Sequence, residues 1–118
     1  MHSDGYYVYI LTNLNKSVLY TGVTNNLQRR IIEHWKERGS DVCFTSQYHV
    51  YYLLYYEHYQ YIDQAIAREK EIKNWRREKK MKLIQQFNPA LEFLNREIFG
   101  ECQSVFQEKF LFQHPVPF

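Results

Sequence analysis

Tyr6-Tyr7-Val8-Tyr9-Ile10-Leu11-Thr12, then Asn13-Leu14-Asn15-Lys16-Ser17, then Val18-Leu19-Tyr20-Thr21-Gly22 is the stretch on which the fold of this chain turns. Its outer segments are β-branched, aromatic or aliphatic almost throughout and its middle is a cluster of turn formers, the pattern of a β-hairpin. A turn centred on Leu14-Asn15 sets Tyr9 directly opposite Tyr20, with both phenols on one face. A slip of one residue would send the two rings to opposite faces.

Just beyond the hairpin, Thr24-Asn25-Asn26 offers helix N-caps, and Leu27 to Arg38 has helical spacing with Leu27, Ile31 and Trp35 on one stripe and Gly39 as the stop. Arg30 and His34 are i, i+4 neighbours at the edge of that stripe, a position expected between core and solvent. Two phenols, a guanidinium and an imidazole in so short a stretch supply proton-transfer groups and a fixed positive charge, equipment suited to attack on a phosphodiester.

Residues 40–49 read as a polar loop with Thr45, Ser46 and His49, to which no role is assigned. Val50 to Tyr56 is a continuous apolar and aromatic run, expected to be a central strand buried on both sides and paired with the hairpin. From Ile62 to about Phe87 the pattern is helical, with an interruption near Arg77 to Lys80, and Ile62, Ala65, Ile66, Ile72, Leu83 and Phe87 on one side. Glu69 sits in the middle of that apolar arc. There it is either paired internally with Arg76 or Lys73, or a divalent-metal ligand facing a cleft. Asn88-Pro89 ends the helix.

The chain has 118 residues, enough for one domain and one core, and a compact monomer is expected. Its net charge of +2, from 15 Lys and Arg against 13 Asp and Glu, does not by itself mark a nucleic-acid binder. The basic residues are nevertheless concentrated: Arg68, Lys70, Lys73, Arg76, Arg77, Lys79, Lys80 and Lys82 face only Glu69, Glu71 and Glu78 in that window. Such a face fits either a phosphate backbone or plain solvent. Eleven tyrosines bring both core area and polar handles, and Tyr55, Tyr56, Tyr59 and Tyr61 are taken as core or rim residues. Cys43 and Cys102 match no metal spacing and read as reduced thiols. With no signal-like start and no run long enough for a membrane span, a cytoplasmic protein with no membrane partner is expected. The segment 96–118, with Phe106, Phe110, Phe112 and Phe118, is expected to pack on the 1–95 domain or on a protein partner.

Tyr7-Val8-Tyr9, Tyr20-Thr21-Gly22, Leu27-Gln28-Arg29-Arg30 with His34, and Ala65-Ile66-Ala67-Arg68-Glu69-Lys70-Glu71-Ile72-Lys73 together resemble the GIY-YIG nuclease family over about residues 5–90. The likeness is greatest to its small stand-alone bacterial proteins, which are related to the N-terminal nuclease domain found in the bacterial excinuclease. The resemblance implies an α+β fold, a three-stranded antiparallel sheet flanked by helices, and hydrolysis of DNA phosphodiesters, in repair or other DNA processing, assisted by one Mg²⁺ or Mn²⁺. It implies that Tyr9, Tyr20, Arg30, His34 and Glu69 are catalytic, that Glu69 holds the metal, and that Gly22 allows close packing. Asn88 is a further candidate. A tyrosine, Tyr9 or Tyr20, would activate water, and His34 would position water or protonate the leaving group. Arg29, Lys73, Arg76, Arg77 and Lys80 would contact the DNA backbone. Thr21 departs from the family's middle isoleucine. A nucleic-acid-binding module without cleavage and a scaffold acting through the C-terminal tail are the competing readings.

Overall fold

The computed structural model describes residues 5–37 and 49–99. The expected helix stop Gly39, the stretch expected to be a loop with Cys43, Thr45 and Ser46, and the C-terminal stretch with Cys102 and the four late phenylalanines lie outside the described residues. Strands β1 (Tyr6–Thr12), β2 (Leu19–Thr24) and β3 (Tyr52–Tyr59) form one antiparallel sheet in the order β2-β1-β3. Helices are α1 (Leu27–Lys36), α2 (Ile62–Lys73), α3 (Arg77–Phe87) and α4 (Asn95–Phe99). The α+β architecture is the expected one.

β1 is the middle strand, and its side chains alternate between two cores. Tyr7, Tyr9 and Leu11 join Leu27, Ile31 and Trp35 of α1 and Ile98 and Phe99 of α4 on one face. Val8 and Ile10 meet Ala65 and Ile72 of α2 and Ile84 of α3 on the other. A boundary between residues 95 and 96 therefore falls inside α4, whose last two residues belong to the core.

Three expectations change. First, Tyr9 lies opposite Gly22, and Tyr20 lies opposite Leu11. The connection spans residues 13–18 and is centred one position later than expected, with Lys16 at φ 59 and Asn13 accepting from the backbone N–H groups of Ser17 (2.8 Å) and Val18 (3.1 Å). That moves the pairing by two residues, which preserves side-chain parity, so both phenols still occupy one face.

Second, β3 is an edge strand and not the central one. Its start is buried on both faces by the two cores, and its outer margin is closed as well: Asn95 Oδ1 accepts from Leu53 N–H (2.9 Å), Asn95 Nδ2 donates to Tyr51 C=O (3.0 Å), Leu94 N–H donates to Leu53 C=O (2.8 Å) and Asn88 Nδ2 donates to Leu54 C=O (3.1 Å). A run buried on every side does not reveal its place in a sheet.

Third, the interruption expected near Arg77 to Lys80 comes earlier: the two helices are separated by residues 74–76, and Arg77 to Lys80 is the first turn of α3. Trp75 anchors the break: Arg68 lies 5.2 Å and Lys79 4.3 Å from its ring centroid. Along the two helices Ile62, Ile66 and Phe87 are exposed and only Ala65, Ile72 and Ile84 are fully buried.

Thr21 is 4% exposed, lies opposite Ile10, and its hydroxyl has no hydrogen-bond partner. A buried unpaired hydroxyl costs about 1–3 kcal/mol. The isosteric Thr21→Val should therefore raise stability by about 1 kcal/mol, read as a higher urea midpoint with an unchanged m-value.

Candidate active site

α1 starts where Asn26 accepts from Arg29 N–H (3.0 Å), and its buried stripe includes His34 beside Leu27, Ile31 and Trp35. His34 is thus not at the core–solvent boundary. Its ring lies over the hairpin face that carries the two phenols. Tyr9 Oη is 3.3 Å from His34 Nε2, and ring centroids are 6.3 Å apart for Tyr9 and Tyr20, 6.2 Å for Tyr9 and His34, and 5.4 Å for Tyr20 and His34. Three rings from two strands and a helix form one triangle. Gly22 makes the triangle possible: a Cβ built there would lie 2.6 Å from Tyr9 Cζ.

Arg30, one turn before His34, adds a fixed charge. Burial pushes the Tyr9 phenol above its ordinary range, Tyr20 adds to the rise, and the charge and hydrogen bonding of Arg30 oppose it. His34 is lowered from 6.5 to about 4, by burial first and then by Arg30. At neutral pH the imidazole is uncharged and its Nε2 can accept a hydrogen bond from the Tyr9 hydroxyl when Nδ1 carries the ring hydrogen. That makes it a poor acid for a leaving group.

The His34 shift predicts a pH-dependent stability. The unfolded chain takes up a proton near pH 6.5 that the folded chain refuses until about pH 4, so stability is full above 6.5 and falls through that window. The total is about 3 kcal/mol. Urea unfolding between pH 7 and pH 4.5 should show the fall in the wild type and a flattened profile in His34→Gln.

The remaining expected residues are spread more widely. Glu69 projects from α2, its side chain 13% exposed, with Oε2 2.5 Å from Lys73 Nζ. Lys73 Nζ is in turn 6.0 Å from the Tyr20 ring, which links the pair to the rim of the triangle. Arg29 donates to Asn25 Oδ1 (2.7 Å) and lies 3.7 Å from Glu33. Arg76 opens α3 in an extended conformation and is exposed, and Lys80 follows one turn later. Arg77 donates to Lys16 C=O (2.7 Å) and Ser17 C=O (3.2 Å), tying α3 to the hairpin turn. Asn88 is buried, donates to Leu54 C=O and Glu92 C=O, and accepts from Glu92 N–H, so its amide serves the backbone of β3 and the loop after α3.

Glu33 had no expected role, yet its Oε1 accepts from Arg30 Nη1 at 2.9 Å. Its i, i+3 spacing from Arg30 is the signal that could have drawn attention to it.

Among the described residues no three His, Cys, Asp or Glu side chains cluster as a metal cage. A lone carboxylate of the Glu69 kind fits a hard cation held mainly by water and phosphate oxygens, as Mg²⁺ commonly is. The partly exposed Lys73 amine would have to move aside.

This triangle of phenols and imidazole on a three-stranded sheet is accompanied by a clear family match. Residues 5–82 match the model of the GIY-YIG catalytic domain, so the chain belongs to the GIY-YIG nuclease family. It is 36% identical over 83 residues to UPF0213 protein SSP2268 of Staphylococcus saprophyticus, covering 70% of this chain and 98% of that protein. A UPF0213 protein of Staphylococcus aureus is 35% identical with the same coverage. The solution structure of UPF0213 protein BH0048 of Bacillus halodurans is similar at 27% identity and TM-score 0.48, covering 78% of this chain and 95% of that one. Among the described residues no helix is long and apolar enough to cross a membrane.

Proposed function

We propose that the protein is a divalent-metal-dependent DNA endonuclease in which Tyr9, Tyr20, Arg30, His34 and Glu69 act together. The observation that carries this reading is the Tyr9 Oη to His34 Nε2 contact of 3.3 Å with Arg30 beside it, in a chain of a nuclease family. Glu69 would hold Mg²⁺ or Mn²⁺, which when bound neutralises charge developing on the phosphate.

Arg30 binds the scissile phosphate, its planar fork offering paired N–H donors that stay charged at any working pH. Tyr9 is 1% exposed and pushed toward its neutral form, so its hydroxyl positions the attacking water through a hydrogen bond and does not act as a standing phenolate. Neutral His34 accepts the hydrogen bond of the Tyr9 hydroxyl and so fixes the direction in which that hydroxyl meets the water. Tyr20, half-buried at the rim, meets the strand side of the same space. Arg29, Lys73, Arg76 and Lys80 supply backbone contacts, and Arg77 contributes charge while it holds the hairpin turn.

The test is nicking of supercoiled plasmid and branched DNA with Mg²⁺ or Mn²⁺, beside Arg30→Ala and Glu69→Ala. Metal-dependent nicking that is lost in both variants is expected. DNA binding without nicking under either ion would replace this reading with that of a binding module.

A further inference from the structure

We propose that Glu33 is a positioning residue for Arg30: its carboxylate fixes the outer end of the guanidinium so that the remaining N–H groups face the phenols, at the cost of repelling the anionic strand. The inference rests on the phosphodiester reading above. Arg30 Nη1 donates to Glu33 Oε1 at 2.9 Å, and the other carboxylate oxygen lies 3.7 Å from Arg29 Nε. Arg29 is itself held by Asn25 at 2.7 Å, so the carboxylate stands between two guanidinium groups of the first helical turns. On its inner side Arg30 acts on the Tyr9 hydroxyl by charge and hydrogen bonding. Among the described residues its one short side-chain contact is therefore the outer one, to Glu33, while toward Tyr9 it acts across the space between them.

An arginine side chain left free samples many rotamers, and a phosphate gains full benefit only from a fork already aimed at it. An ordinary exposed i, i+3 pair does nothing of this kind and can be removed without effect. What separates the two cases here is the place of the fork beside the triangle of Tyr9, Tyr20 and His34, where its direction matters, with the Glu33 contact as its short restraint. Glu33 is also a negative charge beside the place where a phosphate must arrive, so its two effects have opposite signs: it aids turnover and weakens binding.

Glu33→Ala and Glu33→Gln separate them, because glutamine keeps an acceptor oxygen and loses the charge. Glu33→Ala is expected to lower kcat about tenfold without raising KM. Glu33→Gln is expected to restore kcat to within about threefold and, in EDTA, to bind duplex DNA about three- to tenfold more tightly than wild type at low salt. A readout free of cleavage is the Arg30 guanidinium in ¹⁵N NMR without DNA. A slowly exchanging Nε–H signal is expected in wild type and Glu33→Gln, and an averaged one in Glu33→Ala, with equal thermal midpoints. An unchanged Arg30 signal in Glu33→Ala, or alanine and glutamine variants alike in every readout, overturns the proposal. If the signal depends on Glu33 but wild type nicks no DNA with either ion, the clamp stands and the nuclease reading fails.

Discussion

Arg30→Ala should lower the rate of DNA cleavage by about 10²–10³-fold while leaving the protein folded. The side chain is about one-third exposed and its ion pair with Glu33 is a surface one, so its loss should cost at most about 1 kcal/mol of stability. Transition-state charge is a different matter. A guanidinium fixed beside the buried Tyr9 phenol works where water screens poorly, and nothing else on α1 offers two parallel donors there. Arg30→Lys should recover little, since an ammonium provides charge without the fork. An internal check needs no substrate. The Arg30 charge helps to depress His34, so removing it should let the imidazole titrate above its wild-type value of about 4 in an NMR titration. A variant with that His34 shift, an unaltered thermal midpoint and wild-type cleavage would sink the role given to Arg30.

Gly22→Ala is the second large effect, and it should strike fold and activity together. The glycine is paired across the hairpin with Tyr9, whose ring covers it so closely that a methyl group would stand 2.6 Å from Cζ. Gly22 is not among the residues with positive φ, so the backbone accepts alanine and the overlap alone sets the cost. Tyr9 is 1% exposed and faces His34 and Tyr20, leaving its ring little room to withdraw. Overpacking of this type costs about 1–3 kcal/mol. Displacing the phenol by even about 1 Å should cost about 10²-fold in rate. Chemical denaturation of Gly22→Ala, Tyr9→Leu and the double variant tests the cause. If the overlap is responsible, the double variant is more stable than additivity predicts, yet it regains no activity.

Local patterns carried much of this architecture in readable form. The hairpin, the helix after it and the common face of Tyr9 and Tyr20 were legible because strand parity survives a two-residue error in register. The error itself arose in the turn, where Asn13 and the left-handed Lys16 centre the connection one position later than composition suggests. The place of β3 was not legible, since the groups that close its margin, Asn88, Leu94 and Asn95, come from at least 34 residues away in sequence. The burial of His34 was likewise hidden, because a helical wheel does not show how far the neighbouring sheet extends over the helix. For Glu69 the two sequence readings are not exclusive: the carboxylate is paired with Lys73, and that pair reaches Tyr20.

The amide of Asn95 imitates a short piece of strand, giving and receiving the hydrogen bonds that another chain would otherwise supply along β3. Together with Leu94 and Asn88 it blocks lateral recruitment of a second molecule at that border. Its replacement would leave an adhesive seam, and loss of function in such a variant would arise through self-association and deposition before any loss of chemistry.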